Sequence, residues 1–157
     1  YGVNHAKAAT PIWKPLRTTI AGVVAGGEQV QEIIPGGSVG ILTLLDPSVV
    51  KSDKLVGSLV GPPGKLPKVR NEFVLETHLL ERVVGTKDKL VVDPIKLGEF
   101  LMLNVYSSAT VVIVKELGKN SGKCTLRRPV CADAGARVTI SRSVAQRWRL
   151  IGYGLVK

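Results

Sequence analysis

Glycine and proline interrupt this chain so often that no helical repeat of apolar residues persists for three turns. The segments between the interruptions are short and rich in Val, while aromatic residues make up only 4% of the sequence. Because β-branched side chains favour strands, we interpret these segments as β-strands. The predicted strands are residues 39–45, 72–80, 100–105, 111–114, 123–128, 137–141 and 148–156. Short strands joined by turns at this spacing are typical of antiparallel barrels or sandwiches.

The apolar pattern inside the segments predicts how each strand is buried. Residues 72–80 alternate apolar and polar side chains, which indicates one buried face. Residues 100–105 and 111–114 are nearly continuous apolar runs, which predicts strands buried on both faces. Residues 90–98 contain Pro94, and proline favours an edge strand or an irregular crossing.

The final segment combines an aromatic residue with two arginines. Strand alternation places Trp148, Leu150 and Gly152 on one face and Arg147 and Arg149 on the other. We interpret Trp148 as a core residue. The two arginines either contact RNA or pair with acidic side chains of a neighbouring domain.

One proline-rich segment predicts the domain boundary. Residues 61–67 read Gly-Pro-Pro-Gly-Lys-Leu-Pro, and paired prolines stiffen a connection while ending both neighbouring strands. This makes residues 62–67 a linker between a first region, residues 1–61, and a second region, residues 68–157. The first region is small for an independent barrel, so we expect it to be incomplete. The second is long enough for a barrel of about six or seven strands.

The net charge of +10 is concentrated near the C-terminus. Residues 115–157 contain ten basic side chains and only two acidic ones, Glu116 and Asp133. A charge distribution this uneven predicts a nucleic-acid-binding face on one side of one domain. The alternative is a solvated basic surface without a partner.

No catalytic or metal-binding pattern is found. Residues 118–124 contain glycines and Lys123, but the spacing differs from a phosphate-binding loop and a strand follows, so we predict a hairpin turn. His78 lies in a strand without other ligands at suitable spacing and is interpreted as structural. Cys124 and Cys131 fit no zinc spacing, and we expect two buried thiols in a reducing cytoplasm.

The apolar runs are too short to cross a membrane, so no membrane partner is expected. Residues 1–4, Tyr-Gly-Val-Asn, have the features of neither a signal peptide nor a native start, and we interpret them as a trimmed end.

Several motifs occur together in a recognisable order. The closing residues 140–142 and 146–154, with Arg-Trp-Arg-Leu-Ile-Gly-Tyr-Gly at their end, resemble the end of the gamma subunit of archaeal and eukaryotic translation initiation factor 2. Residues 35–37 (Pro-Gly-Gly) with 46–47 (Asp-Pro), residues 79–85 (Leu-Leu-Glu-Arg-Val-Val-Gly) and residues 128–131 (Arg-Pro-Val-Cys) are similar to other parts of that family. The chain departs from the family pattern at Leu42, Leu44, Tyr106 and Val112, where we expect altered local strand geometry.

The resemblance implies a GTP-binding domain followed by two β-barrels of the translational-GTPase type. With alpha and beta subunits, such a protein delivers initiator methionyl-tRNA to the small ribosomal subunit in the cytoplasm. This chain would hold the later part of the second barrel and all of the third. GTP and magnesium would bind only to a domain that precedes residue 1, so we expect no cofactor, metal or catalysis in this chain.

In related factors the 3′ end of the tRNA lies between the GTP-binding domain and the second barrel, which implies candidates near the Pro-Gly-Gly turn. The candidate RNA-binding residues are Gly36, Gly37, Lys51, Lys54, Arg142, Arg147 and Arg149. An ordinary hairpin with solvated lysines is the alternative for the first four. Two other parents are also considered: an elongation or selenocysteine-specific factor, and a ribosomal or architectural RNA-binding β-protein. The closing motif argues against both.

Overall fold

The structure, a computed structural model, describes residues 15–85 and 90–157. The chain divides into two compact units, residues 1–55 and 56–157. The described parts form nine strands, one short α-helix and one 3₁₀ turn. These are β1 (Ile20–Ala25), β2 (Glu28–Val30), β3 (Val39–Thr43), α1 (Pro47–Val50), the 3₁₀ turn Lys51–Asp53, β4 (Val69–Leu79), β5 (Phe100–Val105), β6 (Ser108–Leu117), β7 (Ser121–Cys131), β8 (Arg137–Val144) and β9 (Arg147–Val156). No helix in these ranges has the length and apolar character that crossing a bilayer requires.

The first unit contains a three-stranded antiparallel sheet in the order β2–β1–β3. β1 and β2 are joined by Gly26 and Gly27, whose φ angles of +61° and +88° are those of a two-residue hairpin turn that glycine adopts easily. After β3, Asp46 caps the short α1 by accepting a 2.7 Å hydrogen bond from the Ser48 amide. No residue between 15 and 55 is buried.

The second unit contains a closed antiparallel barrel in the order β4–β7–β6–β5–β8–β9, with β9 paired back to β4. Its interior is filled by aliphatic side chains from all six strands. The largest that are almost completely buried are Leu75, Leu101, Leu103, Ile140, Ile151, Val105, Val112, Val114, Val130, Val138 and Val156. Closure removes every free strand edge from this sheet, so the barrel stabilises itself without an added strand.

The seam between β4 and β9 depends on the absence of a side chain at Gly152. Gly152 pairs with Leu79, and a Cβ atom there would collide with the carbonyl oxygen of His78 and lie 3.0 Å from the Leu79 Cα. Only glycine permits this close approach of two backbones. The closing motif of the sequence therefore contains a residue that the barrel needs for closure.

The fold class predicted from the sequence is confirmed: the described residues are mostly β, with a three-stranded antiparallel sheet in the first unit and a closed six-stranded antiparallel barrel in the second. Each predicted strand overlaps an observed one, and residues 90–98 are irregular apart from one bridge between Val91 and Arg82. The two-faced burial predicted for residues 100–105 and 111–114 is wrong. Phe100 is 59% exposed, and inward and outward side chains alternate along β5 and β6, because a closed barrel has one core, on the inside. Strands β1 and β2 were not predicted.

Tyr106 shows the expected departure in local geometry. It occupies the two-residue connection between β5 and β6, since Val105 pairs with Ser108. Its φ angle is +51°, a left-handed conformation that glycine adopts more readily than tyrosine. By contrast, Val112 fits an ordinary core position and is fully buried.

Candidate nucleic-acid interface

Arg142, one of the predicted RNA contacts, is committed to contacts within the barrel. Its Nε donates to the Glu99 carboxylate at 2.5 Å, and its terminal nitrogens donate to the carbonyl oxygens of Asp93 and Pro94 at 2.9 and 3.2 Å. The Arg142 and Glu99 side chains are only 16% and 17% exposed. The geometry therefore favours a structural role, holding the irregular segment before β5 against β8, over a contact with RNA.

Two lysines of the basic C-terminal segment also have acidic partners. Lys123 lies 3.6 Å from Glu116 and 3.8 Å from Glu72, and Lys157 lies 2.8 Å from Glu76. The hydrogen bond from Lys157 is the main reason that the pKa of Glu76 falls below its ordinary value. These lysines carry little uncompensated charge.

Arg137 stacks on an aromatic ring on the outer barrel face. Its guanidinium carbon lies 4.0 Å from the centre of the Tyr153 ring, and the His78 ring stacks on Tyr153 with 4.8 Å between ring centres. His78 Nε2 is also 3.3 Å from a Glu76 oxygen. These contacts agree with the structural role predicted for His78.

Seven of the ten basic residues in this segment form no ion pair with any described residue. Arg137 is one of them and is stacked on Tyr153, and we call the other six the free cations. They are Lys115, Lys119, Arg127, Arg128, Arg147 and Arg149. The strand directions divide them between the two ends of the barrel. Arg127 and Arg128 lie near the start of β4, while the other four lie near the β6–β7 and β8–β9 turns at the opposite end.

Arg127 and Arg128 lie on a bulge of β7 that the sequence-based interpretation missed. The β4–β7 register jumps here, from Glu72 opposite Thr125 to Arg70 opposite Val130. The nearly buried Thr110 hydroxyl donates to the Arg128 carbonyl at 2.8 Å and accepts from its amide at 3.2 Å. The available signal was Pro129, because a proline inside a strand commonly marks a bulge.

Arg147 and Arg149 lie on a two-stranded extension of β8 and β9. Val144 pairs with Arg147 across a turn made of Ala145 and Gln146. Arg149 lies against Gly85, where a Cβ atom would come within 2.8 Å of the guanidinium Nη1, and Gly85 has a φ of +81°. A glycine there lets the Arg149 side chain lie directly on the backbone, which explains why the 79–85 motif ends in glycine.

The prediction that Trp148 is a core residue is wrong. Trp148 is 40% exposed, and Ile151 is buried in the barrel instead. The β8–β9 register shifts between Ile140 opposite Gly152 and Ser141 opposite Leu150. This bulge adds one residue to β9, so the residues before it that would point inward in a regular strand point outward instead. A prediction that assumes regular alternation along the whole strand therefore assigns Trp148 to the wrong face.

The four candidates in the first unit lie on either side of β3 in the chain. Gly36 and Gly37 precede this strand, whereas Lys51 and Lys54 follow it. Apart from the adjacent residues, no atom of the described part of the chain lies within 4 Å of the position of a Cβ on either glycine, so the turn is open on that side. The ammonium group of Lys54 donates to the Ser48 carbonyl at 3.0 Å.

Residues 118–124, whose glycines and lysine suggested a comparison with a phosphate-binding loop, contain the predicted hairpin turn. Residues 118–120 form the β6–β7 turn, closed by a 2.7 Å hydrogen bond from the Gly118 amide to the Ser121 carbonyl, and no helix follows to receive a phosphate. This segment does not fit GTP.

Cys124 and Cys131 are free and buried, as predicted, and burial raises the pKa of Cys124 to about 11. Within the described ranges, no three His, Cys, Asp or Glu side chains cluster as metal ligands.

Comparison with known proteins identifies the family. The family model for the C-terminal region of the gamma subunit of initiation factor eIF2 matches residues 71–156. The chain is 51% identical over 156 residues to translation initiation factor 2 subunit gamma of Methanothermobacter thermautotrophicus, covering 99% of this chain and 38% of that relative. The chain belongs to the family of translation initiation factor 2 gamma subunits.

Other gamma subunits give the same result. Identity is 49% over 156 residues with the Pyrococcus furiosus subunit, and 50% over 145 residues with that of Archaeoglobus fulgidus. These alignments cover 99% and 92% of this chain, and 38% and 34% of the relatives. The chain therefore spans little more than a third of the length of a gamma subunit.

The fold of this gamma-subunit chain is also found in an elongation factor. The crystal structure of the bacterial selenocysteine-specific elongation factor EF-Sec matches it with a TM-score of 0.61 at 15% identity, over 88% of this chain and 20% of the other. At that identity the likeness shows a shared fold alone. The higher identity to gamma subunits decides against an elongation factor or an unrelated RNA-binding β-protein as the parent.

Proposed function

We propose that this chain is the β-barrel portion of a GTP-dependent gamma subunit that delivers initiator methionyl-tRNA to the small ribosomal subunit in the cytoplasm, together with alpha and beta subunits. The observation that carries the proposal is the 51% identity to a translation initiation factor 2 gamma subunit along 99% of the chain. Nucleotide and magnesium would bind elsewhere in the whole protein, because the glycine-containing turn at residues 118–120 does not fit a phosphate.

The four free cations at the β8–β9 end of the barrel are the part of the proposal that concerns RNA. Lys115, Lys119, Arg147 and Arg149 have no ion pair with described residues, and the acids Glu99 and Glu116 at this end of the barrel have their own partners. Uncompensated cations at one end of a rigid barrel are suited to contact phosphates, which give affinity without sequence preference.

The delivery function is tested with the full-length subunit bound to its alpha and beta subunits. We expect filter binding to show tight, GTP-dependent retention of initiator methionyl-tRNA, weakened with GDP and with a subunit that lacks residues 56–157. Equal binding of initiator and elongator tRNA in both nucleotide states would contradict the proposal.

The RNA contacts are tested by the salt dependence of that binding. Each phosphate contact contributes about 0.7–0.9 to the slope of log affinity against log salt concentration, so Arg147→Ala and Arg149→Ala should each flatten the slope by about that amount. Arg127→Ala, a free arginine at the other end of the barrel, is the matched control and should leave the slope unchanged. An equal effect of all three would place the RNA on both ends.

A further inference from the structure

The β7 bulge presents two adjacent arginines that the proposed tRNA contact does not use. Between two pairings with β4 the chain advances five residues along β7, from Thr125 to Val130, but only two along β4. The surplus residues include Arg127 and Arg128, and both side chains are exposed. Because bulges re-aim side chains and are common next to functional sites, these arginines are candidates for binding a ligand.

A buried hydroxyl group fixes the backbone of the bulge. Thr110 is only 4% exposed, and its Oγ1 donates to the Arg128 carbonyl at 2.8 Å and accepts from the Arg128 amide at 3.2 Å. Both backbone groups of Arg128 are therefore satisfied inside the barrel, which holds the bulge in one shape. A surface that is already ordered loses less entropy when it binds a partner.

The start of β4 adds two more cations to this end of the barrel. Arg70 pairs with Val130, and its Nε donates to the Ala132 carbonyl at 2.9 Å, so its guanidinium lies against the end of β7. Lys68 lies beside the same stretch, because its carbonyl accepts a 3.4 Å hydrogen bond from the Ala132 amide. None of these basic side chains forms an ion pair with a residue that the structure describes. We call the four of them the bulge cations: Lys68, Arg70, Arg127 and Arg128.

The surroundings of the bulge cations favour phosphate over protein as the partner. Glu72 lies 3.8 Å from Lys123, which leaves Asp133, next to Ala132, as the one neighbouring acid without an ion pair to a described residue. Four cations against one carboxylate leave an excess of three positive charges. β7 has no exposed large apolar side chain of the kind that anchors a protein partner. Phosphate groups need cations and no apolar contact.

From this arrangement we propose that the bulge cations bind phosphates of the small-subunit RNA while the opposite end of the barrel contacts the tRNA. The proposal rests on the delivery function above, in which the tRNA complex meets the small ribosomal subunit. With one cationic site at each end, the barrel bridges the two RNA molecules.

The proposal is tested with the full-length subunit bound to alpha and beta subunits, GTP and initiator tRNA. Sedimentation with small ribosomal subunits at several salt concentrations gives the slope of log affinity against log salt concentration. Arg127→Gln with Arg128→Gln should flatten that slope by about 1.4–1.8, the share of two phosphates, and leave the retention of initiator tRNA on filters unchanged. Arg17→Gln with Lys96→Gln removes two exposed positive charges elsewhere and should not change the slope. An unchanged slope in the bulge variant, or an equal loss of tRNA retention, would overturn the proposal.

A further variant separates the shape of the bulge from its charge. Thr110→Val removes the hydroxyl that holds Arg128 but keeps every cation, and it should flatten the slope by about 0.7–0.9, the share of one phosphate. Thermal denaturation checks that this variant is folded. No effect of Thr110→Val in a folded protein would show that net charge alone attracts the RNA, and a defined contact at the bulge would be ruled out.

Protein-free small-subunit RNA distinguishes RNA from ribosomal protein as the partner. The bulge variant should show the same reduction in slope with this RNA as with intact subunits. A difference confined to intact subunits would assign the bulge to a ribosomal protein and overturn the RNA contact. Failure of the delivery function would look different, because the wild-type complex would then not retain initiator tRNA with GTP. The titration with protein-free RNA needs no tRNA and would still test the bulge.

Discussion

The open sheet of β1–β3 and the closed barrel of β4–β9 are built from similar strands, but only the barrel has a core. No residue from 15 to 55 is buried, whereas Leu103, Val112, Val138 and Ile151 in the barrel have no exposed surface. In the sheet, β2 and β3 each have one paired edge, while every barrel strand has two paired neighbours. Strand-forming residues therefore account for the strands in both regions, and closure accounts for the core.

The largest expected difference between the two regions is in hydrogen exchange of the isolated chain. Amides of β5 and β6 should exchange only through global unfolding, with a free energy of about 5 kcal/mol or more. Amides of β1–β3 should exchange at least about a thousandfold faster, because an open three-stranded sheet without a core is marginally stable. Exchange followed by mass spectrometry or NMR measures both. Uniform protection across residues 20–43 and the barrel would show that the first unit is a complete fold.

A pair of leucine truncations tests the same contrast through stability. Leu103→Ala empties a completely buried site in the barrel and should lower the free energy of unfolding by about 2–5 kcal/mol. Leu42→Ala, at a site 53% exposed in β3, should lower it by no more than about 0.5 kcal/mol. Urea denaturation of both variants measures the difference. Similar losses would mean that Leu42 is packed in solution against a surface absent from the sheet.

The basic residues show how far the sequence could predict the candidate site. Charge counting found the segment with most of the positive charge, but it could not tell Arg142, which is held by Glu99, from Arg147, which has no acidic partner among the described residues. That distinction depends on an ion pair between residues 43 positions apart in the chain. The pairing is created by the packing of β5 against β8, and no local pattern contains it.

An arginine pair makes this distinction measurable. Arg142→Ala leaves the mostly buried Glu99 carboxylate without its partner and should cost about 1–3 kcal/mol of stability. Arg147→Ala should change the free energy of unfolding by less than about 0.5 kcal/mol, since the residue is exposed and forms no ion pair within residues 15–85 and 90–157. Chemical denaturation measures both. If Arg147→Ala were the more destabilising variant, that arginine would be structural and the RNA contacts would lie elsewhere.

The strands and their turns were predictable to different degrees. The barrel strands follow from Val-rich runs between breaks, and the closed six-stranded form agrees with the length of the second region. The Gly26–Gly27 turn is a strong hairpin signal, so the sequence contains enough information to predict β1 and β2. The bulge near Ile151 was not predictable, because it depends on how β9 fits between β4 and β8, and it reversed the prediction for Trp148.

The smallest expected effect comes from exchanging turn residues between the two regions. The sheet hairpin uses Gly26 and Gly27 at left-handed positions, but the β8–β9 hairpin places Ala145 and Gln146 there, with φ of +48° and +61°. Ala145→Asn with Gln146→Gly should therefore raise the barrel's free energy of unfolding by about 1 kcal/mol, because both replacements tolerate this conformation better. The reverse change, Gly26→Ala with Gly27→Gln, should leave that global value unchanged and only speed exchange in β1 and β2, since a sheet without buried residues contributes little to it. Thermal denaturation with hydrogen exchange distinguishes these outcomes. A loss of global stability from the Gly26 and Gly27 changes would show that the sheet and the barrel unfold as one cooperative unit.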